Sequence, residues 1–239
     1  MHTCFHLDLA EGMQSLSDDE ALHVARVLRM KAGESIRLVN GHGAEALGRL
    51  VEVGKRKVDV EVDEVRREER RPSGLILVVA PTKHTDRFEW LLEKATELGV
   101  EEVVPVWTQR SERKTEKHDR WDKVLVAATK QCQRLWKPTL HPACDLNELH
   151  ARIPSLKDRP GAVAHCMDQV EGVPTRVAWT SWLKDKPSAW LAIGPEGDFS
   201  AGEVRGLVQM GAAAVHLGEL RLRTETAGIA AVAQFGSSL

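Results

Sequence analysis

No stretch of the 239-residue chain approaches the roughly 20 consecutive apolar residues that a membrane-spanning helix needs. The opening residues, Met1-His2-Thr3-Cys4-Phe5-His6, lack the charged start and long apolar middle of a secretory signal. A soluble, cytoplasmic protein with no membrane partner is therefore expected. Cysteine is scarce: Cys4, Cys132, Cys144 and Cys166 stand far apart, form no Cys-x-x-Cys pair and match no histidine spacing for zinc. Reduced thiols and no metal are the expectation. His2 and His6 would suit a metal only on a helix, whereas Thr3 to Leu7 reads as a strand. Internal repeats and low-complexity tracts are absent too.

What is present is enough apolar material, 42% of residues, to bury a core, and the length suits two modest domains better than one large one. The net charge of −2 neither supports nor excludes a nucleic-acid partner. Its distribution is more informative. Between Arg110 and Pro138 nine Lys and Arg residues face four Asp and Glu, nine minus four leaving a local surplus of five positive charges.

Short apolar runs at Thr3 to Leu7, Ser35 to Val39, Ala44 to Val53 and Val58 to Val65 predict strands around one helix. Ser17-Asp18-Asp19-Glu20 has the spacing of a capping box, and Leu22, Val24, Val27 and Leu28 give an imperfect apolar face up to Met30. A small β-barrel or curled sheet results, and the charged Arg66 to Ser73 reads as a linker. From Leu75 strands and helices alternate: strands at Leu75–Ala80, Glu102–Val106, Gly161–Cys166, Ala189–Ile193 and Ala213–Leu217, helices at Asp86–Leu98, His118–Leu135, Thr175–Leu183, Ala201–Met210 and from Thr224 onward. That alternation predicts a parallel α/β sheet.

Two late segments carry the chemical signal. Gly194-Pro195-Glu196-Gly197 ends the apolar run Trp190-Leu191-Ala192-Ile193 and precedes a second capping box, Ser200-Ala201-Gly202-Glu203. Glycine lets backbone approach a ligand and Pro195 stiffens the turn, although a tight strand-to-helix turn holding nothing would use the same residues. The second segment runs from Leu217 to Ala227 and opens a helix rich in small residues. Arg223 at that helix start opposes the macrodipole, which points to a ligand or substrate role, or to an ion pair with Glu219 or Glu225. Both segments sit where open α/β sheets hold their ligands, at the carboxyl ends of strands.

With these motifs in one order, the chain resembles the bacterial 16S ribosomal-RNA uridine-N3 methyltransferases of the RsmE type, members of the knotted SPOUT class. The resemblance runs through His23-Val24-Ala25-Arg26-Val27-Leu28-Arg29 with Gly33, Lys83 to Trp90, Glu93 to Val100, Ser111-Glu112-Arg113, Lys130-Gln131 up to Pro138, and both late loops. It implies a small PUA-like β-barrel domain at residues 1–70 and, at 74–239, an α/β SPOUT-type parallel sheet with a C-terminal trefoil knot. The Gly-x-Gly-rich first turn of ordinary Rossmann-type methyltransferases is missing, since Gly41-His42-Gly43 opens no helix.

By that resemblance S-adenosyl-L-methionine is the cofactor, held by three loops: His165 and Met167; Ile193, Gly194, Pro195, Glu196 and Gly197; and Leu217, Gly218, Leu222, Arg223, Thr226 and Ala227. Arg223 is the candidate cation for a developing uridine anion, with Glu196 or Glu225 to accept the N3 proton. Arg26, Arg29, Lys83, Arg87, Lys94, Arg113, Lys130 and Arg134 are candidates for RNA phosphates, and Trp107, Trp121 and Trp136 for stacking, with solvated faces and core packing as the alternatives. The implied partners are 16S rRNA or the small ribosomal subunit and a second copy of the chain. Two departures stand out: Asp198 where glycine is commoner and Leu220 where arginine is commoner. Two rival readings are a knotted methyltransferase acting on another RNA atom, such as a ribose 2′-hydroxyl, and a non-catalytic RNA-binding assembly factor.

Overall fold

The computed structural model describes residues 1–54, 56–70, 74–112 and 114–238. The chain divides into two units, Met1–Arg70 with Val126–Lys137, and Arg71–Leu125 with Pro138–Leu239. Of the stretch expected to act as a linker, residues 71–73 lie outside the described residues, and Arg66 and Arg67 end a strand.

In the first unit β1 (Thr3–Phe5), β2 (Gly12–Ser15), β3 (Ser35–Val39), β4 (Ala44–Val53) and β5 (Val58–Arg67) form one sheet in the order β1-β3-β4-β5-β2. Only β1 and β3 run parallel. Alternation along β4 buries Ala44, Ala46 and Leu50 against Ile36, Leu38, Val58 and Val60, as a half-buried antiparallel strand should. The helix between β2 and β3 is α1 (Asp18–Leu22), and it widens into a π-helical segment over His23–Leu28. This explains the imperfect apolar face: Val24 is buried, while Leu22 and Val27 point to solvent because i→i+5 turns break the 3.6-residue period. Arg29 ends the segment in the left-handed region at φ 54°.

The capping box expected at Ser17 is only half made. Ser17 Oγ accepts the Glu20 amide at 3.4 Å, but the Glu20 carboxylate is buried and pairs with Lys130 Nζ at 2.6 Å. Burial first, and then Glu20, push the thiol of neighbouring Cys4 well above its ordinary pKa. Removing one partner of a buried ion pair strands the other charge, so Lys130→Ala is expected to lower stability by roughly 3 kcal/mol. Urea unfolding measures this, with Arg26→Ala on the exposed surface as the near-neutral comparison. Equal effects of the two substitutions would mean that the Glu20 pair contributes nothing.

The second unit holds the parallel sheet β11-β13-β10-β12-β6-β7-β8, with β9 also on β7. Its elements in chain order begin with β6 (Gly74–Val79), α2 (Thr85–Glu97), β7 (Glu102–Trp107) and α3 (His118–Gln131). Next come β8 (Thr139–Leu140), β9 (Cys144–Asp145), α4 (Leu149–Arg152), β10 (Gly161–Ala164), β11 (Val177–Ala178) and α5 (Trp179–Trp182). The last are β12 (Ser188–Ile193), α6 (Ala201–Gln209), β13 (Ala213–His216) and α7 (Thr224–Gly236). All six residues of central β6 are buried, and successive residues feed opposite cores. Leu75, Leu77 and Val79 join the layer of α2 and α7, while Ile76 and Val78 join that of α4 and α6. Each such Leu, Ile or Val contributes about 1.5–3 kcal/mol by burial.

The helix expected at Thr175–Leu183 is instead a two-residue strand on β13 followed by one helical turn, α5. The helix expected to reach Leu135 ends at Gln131. The small residues of α7 face inward. A Cβ on Gly228 would lie 2.2 Å from Leu91 Cδ1, so glycine there permits the close packing of α7 on α2.

Candidate functional site

Parallel register brings the carboxyl ends of three strands together: Ala164 of β10 pairs with Ile193 of β12 on one side and Val215 of β13 on the other. The segments leaving these strands surround one cavity of about 680 Å3. His165, Cys166 and Asp168 line it from the first, Ile193, Gly194, Pro195, Glu196 and Asp198 from the second, and residues 216–224 with Ala227 from the third, while Arg176 closes one side. That size is within the range of small-molecule sites.

The second loop folds tightly on itself. A Cβ on Gly194 would stand 2.8 Å from the Phe199 amide nitrogen and 3.0 Å from the Asp198 carbonyl carbon, so only glycine fits. The Asp198 amide donates to Pro195 O at 2.8 Å with Asp198 at φ 64°, a left-handed position that favours glycine. Asp198 adds its own ties: Oδ1 accepts the Phe199 amide at 2.7 Å and Oδ2 the Cys166 amide at 2.8 Å, joining the first loop to the second. Arg110 Nη1 donates to Gly197 O at 2.6 Å, and Glu203 completes the Ser200 capping box while accepting the Gln109 amide at 2.8 Å. The third loop is tied in by Thr224, whose Oγ1 donates to Gly194 O at 3.0 Å.

Most of the residues expected at the site meet here. His165, Ile193, Gly194, Pro195, Glu196, Leu217, Gly218, Leu222, Arg223 and Ala227 all line the cavity. Three others do not: Met167 packs against the core of the α4 and α6 layer, Gly197 faces Arg110, and Thr226 is exposed on α7. Glu225 is 5% exposed, lies off the cavity wall, and has Arg87 Nε 3.8 Å from its Oε1. Arg223 is the N-cap of α7, and its side chain makes no hydrogen bond or ion pair among the described residues. The ion pairs to Glu219 or Glu225 that would explain it structurally are not formed. Glu196 lines the cavity and accepts the Lys83 amide at 3.0 Å.

Sequence reasoning missed Arg176 and His216, while Asp168, the end of the expected first loop, does line the cavity. Arg176 Nη1 donates to the His165 carbonyl at 2.7 Å and its Nη2 lies 3.8 Å from Asp168, a bridge across the chain that no local pattern announces. His165 is 6% exposed, and neither ring nitrogen has a hydrogen-bond partner among the described residues. Burial, and then the Arg176 charge, hold its ring below the usual imidazole range; the Asp198 carboxylate and the Met167 backbone pull more weakly the other way. Burial, and then Asp198, push the Cys166 thiol up.

The candidate RNA residues divide into free and engaged. Arg26 and Arg29 are exposed. Lys83 pairs with Glu112, Arg87 with Glu225, Lys94 with Glu93 and Glu97, and Lys130 with Glu20. Arg134 has an interaction partner as well, and Arg113 lies outside the described residues. The positive surplus between Arg110 and Pro138 is largely consumed in the same way, Lys114 by Asp145 and Arg120 by Glu89. Of the tryptophans, Trp121 is core, packed on Phe88 with ring centroids 4.8 Å apart; Trp136 lies under the Arg70 guanidinium, and Trp107 is half-buried. Among the described residues, no cluster of three or more His, Cys, Asp or Glu could hold a metal ion, and no helix is long and apolar enough to cross a membrane.

The comparisons with known proteins converge on one family. An RNA methyltransferase domain model matches residues 69–236 and an RNA methyltransferase PUA domain model matches residues 16–63. The chain is 28% identical over 229 residues to the ribosomal RNA small subunit methyltransferase E of Rickettsia conorii, covering 95% of this chain and 91% of that one. Its fold superposes on a probable rRNA-methyltransferase from Porphyromonas gingivalis with a TM-score of 0.87 at 32% identity, over 100% and 98% of the two chains. A methyltransferase-like protein of Legionella pneumophila, solved with the bound cofactor SAM, gives a TM-score of 0.86 at 29% identity over 98% and 96%. The parallel α/β sheet, the PUA-like unit before it and the resemblance to RsmE-type enzymes are thus borne out, and the chain belongs to the RNA methyltransferase family.

Proposed function

We propose that this protein transfers the methyl group of S-adenosylmethionine to N3 of a uridine in the 16S rRNA of the small ribosomal subunit, acting in the cytoplasm as a homodimer. The observation that carries the reading is the convergence of three strand-end loops on one cavity in a chain of this family. The names of its relatives point to the ribosomal substrate. Residues 1–70 then serve as the PUA-like RNA-binding domain and 74–239 as the knotted methyltransferase domain. The non-sequential strand order β13-β10-β12-β6 supports a knot, a topology that ordinary connections avoid. Trp90 and Leu98, 46% and 41% exposed on the α2 segment, offer apolar surface for the second subunit.

The residues present fit the cofactor. Ile193, Leu217, Leu222 and Ala227 give apolar walls, while Asp168, Glu196 and Glu219 place negative charge around a cationic ligand. When bound, S-adenosylmethionine supplies a methyl group on a positively charged sulfur. The chain itself positions the reactants and excludes water. Arg223, unpaired at the cavity, stabilises the anion left when N3 loses its proton. Glu196 is better placed than Glu225 to take that proton, because it lines the cavity and Glu225 does not. Lys83, Arg87, Arg26 and Arg29 supply phosphate contacts that fix register without choosing bases.

Mass spectrometry of 16S rRNA nucleosides tests the reading. A strain lacking the protein is expected to lose 3-methyluridine, and the purified protein to restore it in extracted small subunits given S-adenosylmethionine. Unchanged 3-methyluridine with loss of a 2′-O-methyl nucleoside would move the target to ribose. No lost modification, together with no cofactor binding, would leave an assembly factor.

A further inference from the structure

We propose that His165 makes methyl-donor binding conditional on a neutral imidazole: the neutral ring hydrogen-bonds to bound S-adenosylmethionine, and the protonated ring expels it. The inference rests on the cofactor reading above and adds a regulatory property to the same cavity. Its basis is geometric. His165 is 6% exposed and is one of the residues lining the cavity, and both its ring nitrogens are buried without a hydrogen-bond partner among the described residues. A buried imidazole in that state is costly, and a ligand group that completes it removes the cost. Neutral imidazole offers one donor and one acceptor; imidazolium offers two donors and a positive charge.

The surroundings determine what that charge would do. Arg176 holds the His165 carbonyl at 2.7 Å, so a protonated ring would place a second cation beside it in a site for a sulfonium ligand. Three of the acidic neighbours are already engaged: both Asp198 oxygens accept amides, Asp168 lies 3.8 Å from Arg176, and Glu196 accepts the Lys83 amide. The third loop contributes His216, Glu219, Arg221 and Arg223 to the same cavity, and the first contributes the Cys166 thiol. Because burial and Arg176 lower the pKa of the ring, it is neutral at pH 7 and becomes charged only on acidification. Donor affinity is therefore full at and above neutrality and is lost as pH falls through the lowered pKa of the ring, with a proton released on binding there.

Isothermal titration with S-adenosylmethionine between pH 8 and pH 5 tests this, since the α-amino and carboxyl groups of the donor titrate largely outside the acidic half of that range. Wild-type affinity is expected to fall progressively on the acid side of neutrality, with proton release seen from buffers of different ionisation enthalpy. His165→Gln keeps a donor and an acceptor but does not titrate, so its affinity stays near wild type at pH 7.5 and flat with pH. His165→Phe is expected to bind about tenfold more weakly than wild type at pH 7.5, the worth of one hydrogen bond, and to stay flat with pH, so that the gap closes on acidification. A flat wild-type profile, a His165→Gln profile as steep as wild type, or unimpaired binding by His165→Phe overturns the proposal while leaving the function intact. If His165→Phe does not fold, the wild-type and His165→Gln profiles still decide. Absence of binding in the wild type at pH 8 would refute the cofactor reading and this inference with it.

Discussion

Gly194→Ala is expected to weaken S-adenosylmethionine binding on the order of 100-fold, the cost of displacing a binding constellation by about an ångström, while the chain stays folded. The added methyl carbon would meet backbone on both near sides, Phe199 N at 2.8 Å and Asp198 C at 3.0 Å, and backbone cannot swing aside as a side chain can. The loop must open, and the consequences spread by named bonds. The Asp198-to-Pro195 turn is lost first, then the Asp198 bridge to the Cys166 amide, and then the Thr224 hydroxyl's hold on Gly194 O. All three segments around the cavity shift, yet the sheet beneath is untouched, because β12 ends at Ile193. Calorimetric titration measures the affinity, and circular dichroism checks the fold. Gly206→Ala is the control: a Cβ there meets nothing within 4 Å, and α6 should gain about 0.4–1 kcal/mol with binding unchanged. A Gly194→Ala protein that binds within a few-fold of wild type would show that the loop does not form the cofactor wall.

Why the cavity could be expected from sequence, and much of its wiring could not, follows from the physics of each part. Strands β3 and β4 match their expected bounds and β6, α2 and α6 lie within a residue of theirs, since buried runs such as Leu75 to Val79 and the Ser200–Glu203 capping box are local signals. The strand β2 escaped notice because it is an exposed edge, Met13 being 57% accessible, with no apolar alternation to read. The π-helical turn at His23–Leu28 hid for the opposite reason: its apolar residues are present but at a period that a helix template does not fit. Likewise β8, β9 and β11 are two residues each, held by pairing to neighbours already in the sheet. Of the loops around the cavity, the two late ones were legible from their glycines and their place after apolar strands, and the one at His165 only through family resemblance. Arg176 on His165, Asp198 on Cys166 and Glu196 on Lys83 join residues far apart in the chain. Charge misled for a related reason, because a sequence displays Lys130 as a cation but not the buried Glu20 that neutralises it.

Arg223→Gln should lower kcat for uridine methylation by about 100- to 1,000-fold, the range found when one preorganised donor to a developing anion is removed, with cofactor affinity changed little. A cation at the N-cap of α7 is unfavourable for the helix, and among the described residues it has no acidic partner to excuse it. The cost is recovered only if negative charge arrives in the cavity that Arg223 lines. Deprotonated N3 brings such a charge, and it exists only as the reaction proceeds, so the contribution belongs to the transition state rather than to ground-state binding. Glutamine keeps length and a hydrogen-bond donor but not charge, and Arg223→Lys should restore part of the rate. Single-turnover methylation of small subunits at saturating donor measures the chemical step. A pH profile adds a signature that a structural role would lack: as pH rises and N3 ionises without help, the Gln variant should recover toward wild type. Substituting the helix-opposing arginine should also stabilise α7 by about 0.3–1 kcal/mol, so activity and stability move in opposite directions. If both fell together, or if the kcat deficit were independent of pH, Arg223 would be part of the loop architecture and the anion would find its stabilisation elsewhere.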